Sequence, residues 1–531
     1  MDFLDKEKLF ERFNKLVEIG LALSAEKDHN VLLEKILFGA KSLTRADGGT
    51  LYSVTDRKTL KFEIINTDSL GIHQGGSTNT SIDLPDVPLY ERNNEPNEKM
   101  VSAFAVVNDK TVVIEDVYAV SEFDFSGTRF FDKKMAYRSK SFMTVPMKNH
   151  ENEVIGVLQL LNAKDEKTGE TVPFSKSDQL LVESLASQAA VAMTQKGLID
   201  TLNQMLESFI QAIADAIDEK SPHTGHHCRR VPIISNLLAE AVNDTNIGRF
   251  KDLQFSEDEM YELNLAAWMH DCGKVTSPIH IVDKGRKLQT IFDRIHLIDT
   301  RFIAMKSQAE VEYLKKRMDS VDEGKNKQLE EEFHNRLSKW ESDQEFLHKC
   351  NRGCEKGLSA EEVLRIKQIS SYQWTNSRGE TEAFLSEDEV ENLSIFRGTL
   401  SESEVQVIRN HVVSSIKMLE RLPYPKRLSR IPEIAGSHHE RLDGMGYPNG
   451  ITGEQMSVQS KILCIADVFE ALTAEDRPYK KKMQLSESLN ILKECGENGH
   501  LDPDLLELFI RSKVYVKYAQ EHMSSGQVDC E

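Results

Sequence analysis

The sequence predicts a multidomain α+β protein, in which a domain of strands and helices is followed by a connecting helix and a mainly helical region. Three observations indicate this class. The chain has 531 residues, which is enough for two or three domains. Short apolar runs typical of strands fall between residues 50 and 162, with helical segments on either side. After residue 196, apolar residues recur at helical spacing in the segments 196–217, 311–340 and 404–419.

The first 195 residues contain both kinds of element. Helical spacing covers residues 30–43 and returns at 175–193, where Ser175 is the expected N-cap and Asp178 lies three residues later. Polar turns at 55–58 and 149–152 separate two pairs of strands. The expected strands are residues 50–54, 60–65, 103–107, 111–114, 142–147 and 154–162.

Two stretches of this first part carry a family resemblance. They read SFMTVPMKNHENEVIGVLQLLNAK (141–164) and PFSKSDQLLVESLASQAAVAM (173–193), and they resemble a GAF domain. The resemblance implies an antiparallel sheet with helices and a sensor or dimerisation module over residues 1–195. Members bind cyclic nucleotides, haem, bilins, small metabolites or no ligand. Because residues 1–195 contain no cysteine, a bilin attached through a thiol is not expected, and the ligand stays open.

Residues 196–218 are expected to form a connecting helix between the two parts of the chain. Leu202, Leu206, Phe209 and Ile213 recur at spacings of four, three and four, which is typical of a heptad stripe. The stripe fits an intramolecular core and a dimer seam equally well. With the family context, we expect a homodimer through the GAF domain and this helix.

The region from 219 to 515 concentrates residues that bind divalent metals. His270-Asp271 stands in AAWMHDCGKV, and His438-His439 opens HHERLDGMGYPNG. Mixed imidazole and carboxylate ligands suit iron, manganese, zinc or cobalt better than calcium or magnesium. Such ions generate hydroxide from water near neutral pH and bind phosphate. The sequence therefore predicts hydrolysis of a phosphoester.

Spacing suggests how these ligands divide between ions. Neighbouring residues on a helix point about 100° apart, so His438 and His439 are expected to reach two ions rather than share one. Asp271 has two oxygens and can bridge the ions. Asp467 stands in the apolar helical stretch ILCIADVFEAL, where an unpaired carboxylate would be costly without a cation.

These motifs resemble the HD-GYP domain, a branch of the HD metal-dependent phosphohydrolases. The matching stretches are HDCGK, HHERLDGMGYPNG and ILCIADVFEALTAEDRPYK. The resemblance implies an all-α bundle that hydrolyses cyclic di-GMP to pGpG or GMP, with two or three divalent metal ions, iron or manganese. It implies Asp271 and Lys274 as catalytic residues. The implied metal ligands are His223, His227, His270, Asp271, His411, His438, His439 and Asp467. The implied substrate-binding residues are Lys274, Arg441, Gly446, Tyr447, Pro448, Arg477 and Lys480.

The sequence departs from the family pattern at two places. Members with three metals have a glutamate four residues before the first ligand histidine, whereas this chain has His223 there. Histidine can bind a third ion or face solvent, and both remain open. The second departure is a charged helical insertion over residues 286–396, expected as an antiparallel hairpin broken over residues 322–326. After residue 515 we expect a polar C-terminal tail, residues 516–531, frayed from Ser524 onwards.

Composition narrows the classes of partner. The net charge is −20, which disfavours a nucleic acid polymer as partner because backbone binding needs clustered Lys and Arg. The apolar runs are too short for a membrane span, no export signal is evident, and seven irregularly spaced cysteines fit reduced thiols. Cys350 and Cys354 could suggest a zinc site, but no second ligand pair follows at zinc-finger spacing, so two cysteines in a polar helical segment are the favoured interpretation. We therefore expect a cytoplasmic protein without a membrane partner.

The preferred hypothesis is a cyclic di-GMP phosphodiesterase regulated by its GAF domain. One alternative is an adaptor that binds the dinucleotide or partner proteins with little or no turnover. Another is a phosphodiesterase for a different cyclic nucleotide, such as cyclic GMP-AMP.

Overall fold

The computed structural model describes residues 3–78, 80–220, 226–353, 357–474 and 483–530. The chain separates into two compact units, residues 1–205 and 206–531. Each unit is described by itself. Among the described residues, no helix combines the length and the apolar character that crossing a bilayer requires.

The first unit is built on an antiparallel sheet. Its strands are β1 (Ala46–Val54), β2 (Thr59–Thr67), β3 (Ile72–Gly75), β4 (Val87–Pro88), β5 (Val112–Ile114), β6 (Phe142–Lys148), β7 (Val154–Lys164) and β8 (Thr171–Val172). The main path runs β3-β2-β1-β7-β6-β5, while β4 pairs with β2 and β8 with β7. Every pair is antiparallel, and β6 and β7 meet as the hairpin that the turn at 149–152 predicts.

The α-helices described in this unit are α1 (Phe3–Ala25), α2 (His29–Thr44), α3 (Val101–Val107), α4 (Ser126–Met135) and α5 (Lys176–Lys220). The prediction of a strand at 103–107 is wrong, because this stretch lies in α3. Short apolar runs do not distinguish a strand from a buried helix by periodicity. Ser175 and Asp178 exchange hydrogen bonds at the start of α5, as a capping box requires.

Alternation along the strands produces two apolar layers. Leu158 and Leu160 of β7 point to the face that packs against α1, α2 and α5, in a core that includes Leu37 and Leu185. Val157 belongs to a smaller cluster that includes Ala103 of α3. The first unit therefore has helices on both faces of its sheet.

Helix α5 includes residues of both units. The stripe predicted as a seam is divided in the structure. Leu206 and Ile213 pack against the core of the second unit, whereas Leu202 and Phe209 are exposed. One side of the helix thus contacts the core of the second unit, and apolar side chains on another side are exposed.

The second unit is largely helical. Its helices are α6 (His227–Asp244), α7 (Glu257–Met269), α8 (Ile279–Val282), α9 (Ile295–Met318), α10 (Glu323–Asn351), α11 (Ala360–Ser370), α12 (Glu387–Leu393), α13 (Glu402–Leu419), α14 (Ile431–Gly436), α15 (Val458–Thr473), α16 (Leu485–Glu497), α17 (Pro503–Arg511) and α18 (Val514–His522). A short hairpin of β9 (Gln373–Thr375) and β10 (Thr381–Ala383) lies among them. The main core includes Val231, Leu263, Ile465 and Phe509.

The inserted segment has a small core of its own, which includes Phe302, Leu347 and Phe384. Helices α9 and α10 pack against each other, and Asp322 caps α10 by accepting from Gly324 N. The break therefore lies just before α10 and not over 322–326. The β9–β10 hairpin also shows that the insertion is not wholly helical.

The expected frayed tail is wrong. Residues 514–522 form α18, in which Tyr518 is buried. Gln527 is also buried, and its amide donates to the backbone carbonyls of Thr473 and Met483. Polar composition predicted a loose end here, but a buried amide with backbone partners holds this segment against the core.

Candidate metal centre

Seven side chains predicted as metal ligands lie together inside the second unit. His227 is the first residue of α6, and His270 and Asp271 directly follow α7. The others are His411 on α13, His438 and His439 just after α14, and Asp467 on α15. Four of them, namely His270, Asp271, His411 and His438, are at most 2% exposed.

His227, His270 and Asp271 form one group of potential ligands. The Nε2 atoms of the two histidines are 3.1 Å apart. Asp271 Oδ2 lies 3.3 Å from His227 Nε2 and 3.2 Å from His270 Nε2. Three ligand atoms therefore converge on one small volume.

His411, His438 and His439 form the second group. The ring centroids of His438 and His439 are 4.2 Å apart, and His411 lies beside both. The expectation that the doublet would serve two ions differs from this grouping. It assumed a regular helix, whereas α14 ends at Gly436 and the doublet lies in the turn that follows.

Asp271 connects the two groups. Its Oδ2 faces His227 and His270, while Oδ1 is 3.1 Å from His411 Nε2 and 3.9 Å from His438 Nε2. Asp467 lies on the other side, with Oδ1 3.2 Å from His227 Nε2. Its Oδ2 is 4.0 Å from His439 Nδ1. Each carboxylate thus has one oxygen toward each group, which is the arrangement that bridges a pair of ions.

The tautomers of three histidines follow from their backbone partners. In His270, His411 and His438, Nδ1 contacts the carbonyl of the residue three positions earlier. A carbonyl only accepts, so each Nδ1 carries the hydrogen, and the neutral ring has its lone pair on Nε2. The Nε2 of all three points into the site.

These lone pairs test whether the site fits a cation. His411 Nε2 and Asp271 Oδ1 are both acceptors at 3.1 Å. Together with His438 Nε2, they are buried atoms without a hydrogen-bond partner among the described residues. Buried acceptors that face one another are costly unless a positive charge lies between them. The donor set fits divalent metal ions, which would satisfy these atoms.

The pKa directions of most of these ligands agree with a set ready for metal. His227 is the exception, because Glu470 and Asp271 outweigh burial and raise its pKa well above the usual value. Burial lowers the pKa of His438 well below its usual value. Burial also lowers the pKa of His439, to about 4, so both rings are neutral at neutral pH. Burial opposes ionisation of Asp271, but the adjacent Lys274 ammonium brings its pKa well below the usual range. Neutral imidazoles and ionised carboxylates are the forms that bind metals.

The short 3-10 turn Cys272–Thr276, which carries Lys274, packs tightly on α13. A Cβ on Gly273 would come within 2.0 Å of the His411 carbonyl oxygen, so only glycine permits this approach. Ser415 Oγ accepts from Gly273 N at 2.8 Å. This contact brings His411 to Asp271.

Lys274 lies at the edge of the site. Its Nζ is 2.6 Å from Asp271 Oδ2, and its side chain is partly exposed. Burial opposes protonation, but Asp271 outweighs burial and raises the pKa of the Lys274 ammonium. Lys274 is therefore a fixed positive charge next to the bridging carboxylate.

The loop predicted beside the site adjoins the second histidine group. Tyr447 stacks on His439 with ring centroids 4.8 Å apart. The Arg409 guanidinium lies over the Tyr447 ring, 5.2 Å from its centroid. Gly446 has no room for a Cβ, which would lie 2.5 Å from Glu440 Cα. The fully buried Glu440 carboxylate accepts from Asn449 N and Ile451 N and holds the loop.

The remaining predicted residues divide into two sets. Pro448 follows Tyr447 in this loop through a cis peptide bond. Arg441 pairs with Asp443, with Nη2 2.7 Å from Oδ2, so its described partner is a neighbouring carboxylate rather than the ligand groups. His223, Arg477 and Lys480 lie outside the described residues.

Glu470, which is not among the residues predicted from the sequence, is fully buried one turn after Asp467. Its Oε2 accepts from His227 Nδ1, and its Oε1 accepts from Arg230 Nε at 2.7 Å. A signal was present, since residues three apart share a helix face. This spacing therefore predicts that Asp467 and Glu470 lie on the same face of their helix.

Family comparisons follow the same division of the chain. Residues 28–193 match the model of the GAF domain, and residues 388–505 match the model of the HD domain. The chain thus contains a GAF domain followed by an HD domain, as the motifs indicate. The HD match includes His411, the 438–439 doublet and Asp467, while Asp271 lies before the insertion and outside the match.

Curated relatives resemble the second region. A 3'3'-cGAMP-specific phosphodiesterase 1 of Vibrio cholerae is 41% identical over 22% of this chain and 26% of the relative. A cyclic di-GMP phosphodiesterase of Pseudomonas aeruginosa is 33% identical over 25% of this chain and 31% of the relative. The cyclic di-GMP phosphodiesterase response regulator RpfG of Xanthomonas campestris is 33% identical over 23% and 31%. The chain thus spans less than a third of each of these relatives.

Among solved structures, the GAF domain from an Acinetobacter phosphoenolpyruvate-protein phosphotransferase aligns at 13% identity. It covers 36% of this chain and 98% of that domain, with a TM-score of 0.27. A TM-score this low carries no weight by itself. The assignment of a GAF domain is based on the family match and on the antiparallel sheet.

Proposed function

We propose that this chain is a metal-dependent phosphodiesterase that hydrolyses a cyclic dinucleotide, with cyclic di-GMP as the first candidate. The observation that carries the proposal is the position of Asp271 between two groups of buried imidazoles whose Nε2 lone pairs face its oxygens. The names of the relatives supply the substrate class.

Two divalent ions, iron or manganese, are the proposed cofactors. His227 and His270 would hold one ion, and the three histidines of the second group the other, with Asp271 and Asp467 between them. His223 is the proposed ligand for a third ion. When bound, such ions make a nucleophile from water near pH 7 and polarise the phosphoryl group.

The chain's own residues have separate tasks in this scheme. The Asp271 carboxylate lies between the two groups of imidazoles and would hold both groups in place through its two oxygens. The Lys274 ammonium, already adjacent to Asp271, would stabilise negative charge that develops on the phosphoryl oxygens.

Recognition of the dinucleotide is proposed for the loop beside the second group. Tyr447 lies beside the site against His439 and Arg409, and its neighbours Gly446 and Pro448 shape the turn. Arg441, Arg477 and Lys480 are proposed contacts to phosphates or bases. The proposed products are pGpG, GMP or both.

A second substrate, 3'3'-cGAMP, is supported by the relative with 41% identity over the matched segment. The two dinucleotides share a cyclic phosphate backbone and differ in one base. The arrangement around Asp271 is suited to the phosphodiester, and it does not favour either base.

Regulation is proposed to come from residues 1–195 as a sensor domain, through residues 196–218, to the catalytic domain at 219–515. The GAF ligand is unknown or absent. We also propose a homodimer, because Leu198, Leu202, Met205 and Phe209 of α5 are exposed at spacings of four, three and four. An exposed apolar row with heptad spacing fits a second copy of the same helix.

The test is hydrolysis by metal-replete protein under reducing, oxygen-poor conditions. The protein is offered cyclic di-GMP and 3'3'-cGAMP separately, and the products are resolved by liquid chromatography. We expect linear dinucleotide or mononucleotide to appear, with none from Asp271→Asn protein. Binding of a dinucleotide without turnover by the metal-loaded wild type would refute the enzyme and favour an adaptor.

A further inference from the structure

One of the buried histidines is oriented differently from the others. His270, His411 and His438 each donate from Nδ1 to a carbonyl three residues earlier, in the helix that precedes or contains them. His227 is the first residue of α6, so within that helix no carbonyl lies three residues before it. Something other than its own helix must therefore hold the His227 ring.

A carboxylate from another helix takes this place. Glu470 of α15 accepts from His227 Nδ1 through Oε2, and neither side chain is appreciably exposed. With Nδ1 as donor, the neutral ring of His227 carries its lone pair on Nε2, which faces His270, Asp271 and Asp467. The carboxylate selects the tautomer that can bind a metal.

Glu470 is itself held by a third residue. Arg230 Nε donates to Glu470 Oε1 at 2.7 Å, and the guanidinium is mostly buried. Arg230 lies one turn after His227 on α6, and Glu470 lies one turn after Asp467 on α15. Four side chains on two helices therefore form two adjacent pairs, of which one faces the site and the other lies behind it.

We propose that Glu470 and Arg230 are positioning residues that fix the tautomer and orientation of His227 for metal binding. The inference rests on the proposed metal site. A carboxylate behind a ligand imidazole raises the basicity of the imidazole and sets its orientation, and loss of such a partner typically lowers metal affinity by about 10- to 100-fold. The effect should fall on the ion held by His227 and His270, because the second histidine group does not contact Glu470 in the described residues.

The experiment measures metal binding and not turnover. Wild type, Glu470→Gln and Glu470→Leu are loaded with Mn²⁺ or Co²⁺, and bound ions are counted while a chelator competes. We expect Glu470→Leu to bind one ion about 10- to 100-fold more weakly and the other as wild type does. Glu470→Gln keeps an oxygen that accepts from Nδ1 but loses the charge, so its affinity should fall between the two.

The matched control is Glu507→Gln. Glu507 forms an exposed pair with Arg511 on α17 and should leave both affinities unchanged. If Glu470→Leu does not fold, because Arg230 is left buried without this partner, the double variant Arg230→Met/Glu470→Leu removes both charges together. A purely structural role would lower the melting temperature of these variants without changing the metal affinity of the folded protein.

The outcomes separate this inference from the proposed function. If wild-type protein binds no divalent ion, the proposed metal site itself is wrong. If wild type binds two ions and the folded Glu470 variants bind both with wild-type affinity, only the positioning role is overturned. Selective weakening of one ion, ordered from wild type through Gln to Leu, supports it.

Discussion

Asp271 and His411 lie on opposite sides of the insertion in the sequence, yet Asp271 Oδ1 is 3.1 Å from His411 Nε2. Both atoms are acceptors, since His411 donates from Nδ1 to the carbonyl of Ile408. Two buried lone pairs at this distance require a cation between them or a proton on one of them. The pair therefore connects the geometry of the site with its proposed chemistry.

Replacement of Asp271 by asparagine should weaken metal binding and nearly abolish turnover. Asparagine keeps the shape but offers a neutral amide, which has one oxygen instead of two and cannot bridge the two groups. We expect fewer bound ions and a loss in kcat of roughly 10²- to 10³-fold or more. Metal analysis and product formation measure the two effects. Asp258→Asn, an exposed aspartate of α7 paired with Arg427, is the control. Full activity in the Asp271 variant would contradict the proposal.

Lys274→Ala should separate metal binding from catalysis. The ammonium approaches Asp271 but would act on charge that develops at the phosphoryl group, so we expect both ions to stay bound while kcat falls roughly 10²- to 10³-fold. Single-turnover rates and metal content are the measurements. Lys417→Ala removes an exposed lysine of α13 and should be neutral. Unchanged kcat with a raised KM would assign Lys274 to binding alone.

Gly273→Ala should disturb the contact between the Asp271 segment and α13. The new Cβ would come within 2.0 Å of the His411 carbonyl oxygen, so the backbone must move. Overpacking of this kind costs about 1–3 kcal/mol, and the shift should also weaken metal binding. Gly197→Ala is the control, because Gly197 lies in α5 with no heavy atom near the added Cβ. Thermal unfolding measures the stability of the two variants, and equal melting temperatures for both would contradict this prediction.

The exposed row on α5 predicts self-association. Leu202→Glu places a charge in the middle of the row and should convert a dimer to a monomer, because like charges would be buried together. Light scattering after size exclusion reports the mass. Gln211→Glu adds the same charge on another face of α5 and should leave the dimer intact. A wild-type protein that is monomeric at micromolar concentration would remove this hypothesis.

Asp47 in the sheet predicts how stability depends on pH. Burial opposes its ionisation, but hydrogen bonds from Lys164, Ser69 and Tyr137 outweigh burial and lower the pKa of Asp47. A lowered folded-state pKa gives stability that is present above the unfolded value, about 3.9 for aspartate, and is lost as the pH falls through the folded value. Asp47→Asn should therefore lower the melting temperature near pH 7, and the difference from wild type should shrink below about pH 3.9. Asp56→Asn, at an exposed turn, should show no such pH dependence.

Much of the site could be predicted because its chemistry is local. The His270-Asp271 doublet, the 438–439 doublet and the lone Asp467 in an apolar helix identify their residues by type and context, and the structure brings them together. The way in which the 438–439 doublet divides between ions stays a prediction. The directions of its two rings depend on where α14 ends, and one residue of helix or turn changes the direction by about 100°.

Glu470 and the stretch at 103–107 show what local pattern does not contain. Glu470 resembles any other carboxylate on a helix until α6 places His227 against it. Residues 103–107 are a short apolar run, and only packing against the sheet makes them helical rather than extended. Buried Gln527 is a similar case, since its partners are distant carbonyls.

The sequence by itself determined the division into a sheet domain and a helical region, most secondary structure and the identity of the described ligand candidates. Periodicity and residue chemistry are properties of neighbouring residues, and they need no knowledge of distant contacts. The tertiary structure alone decided which imidazoles share a group, which oxygen of Asp271 faces each group and which carboxylate holds His227. These relationships join atoms on different helices, and their distances depend on how the helices pack.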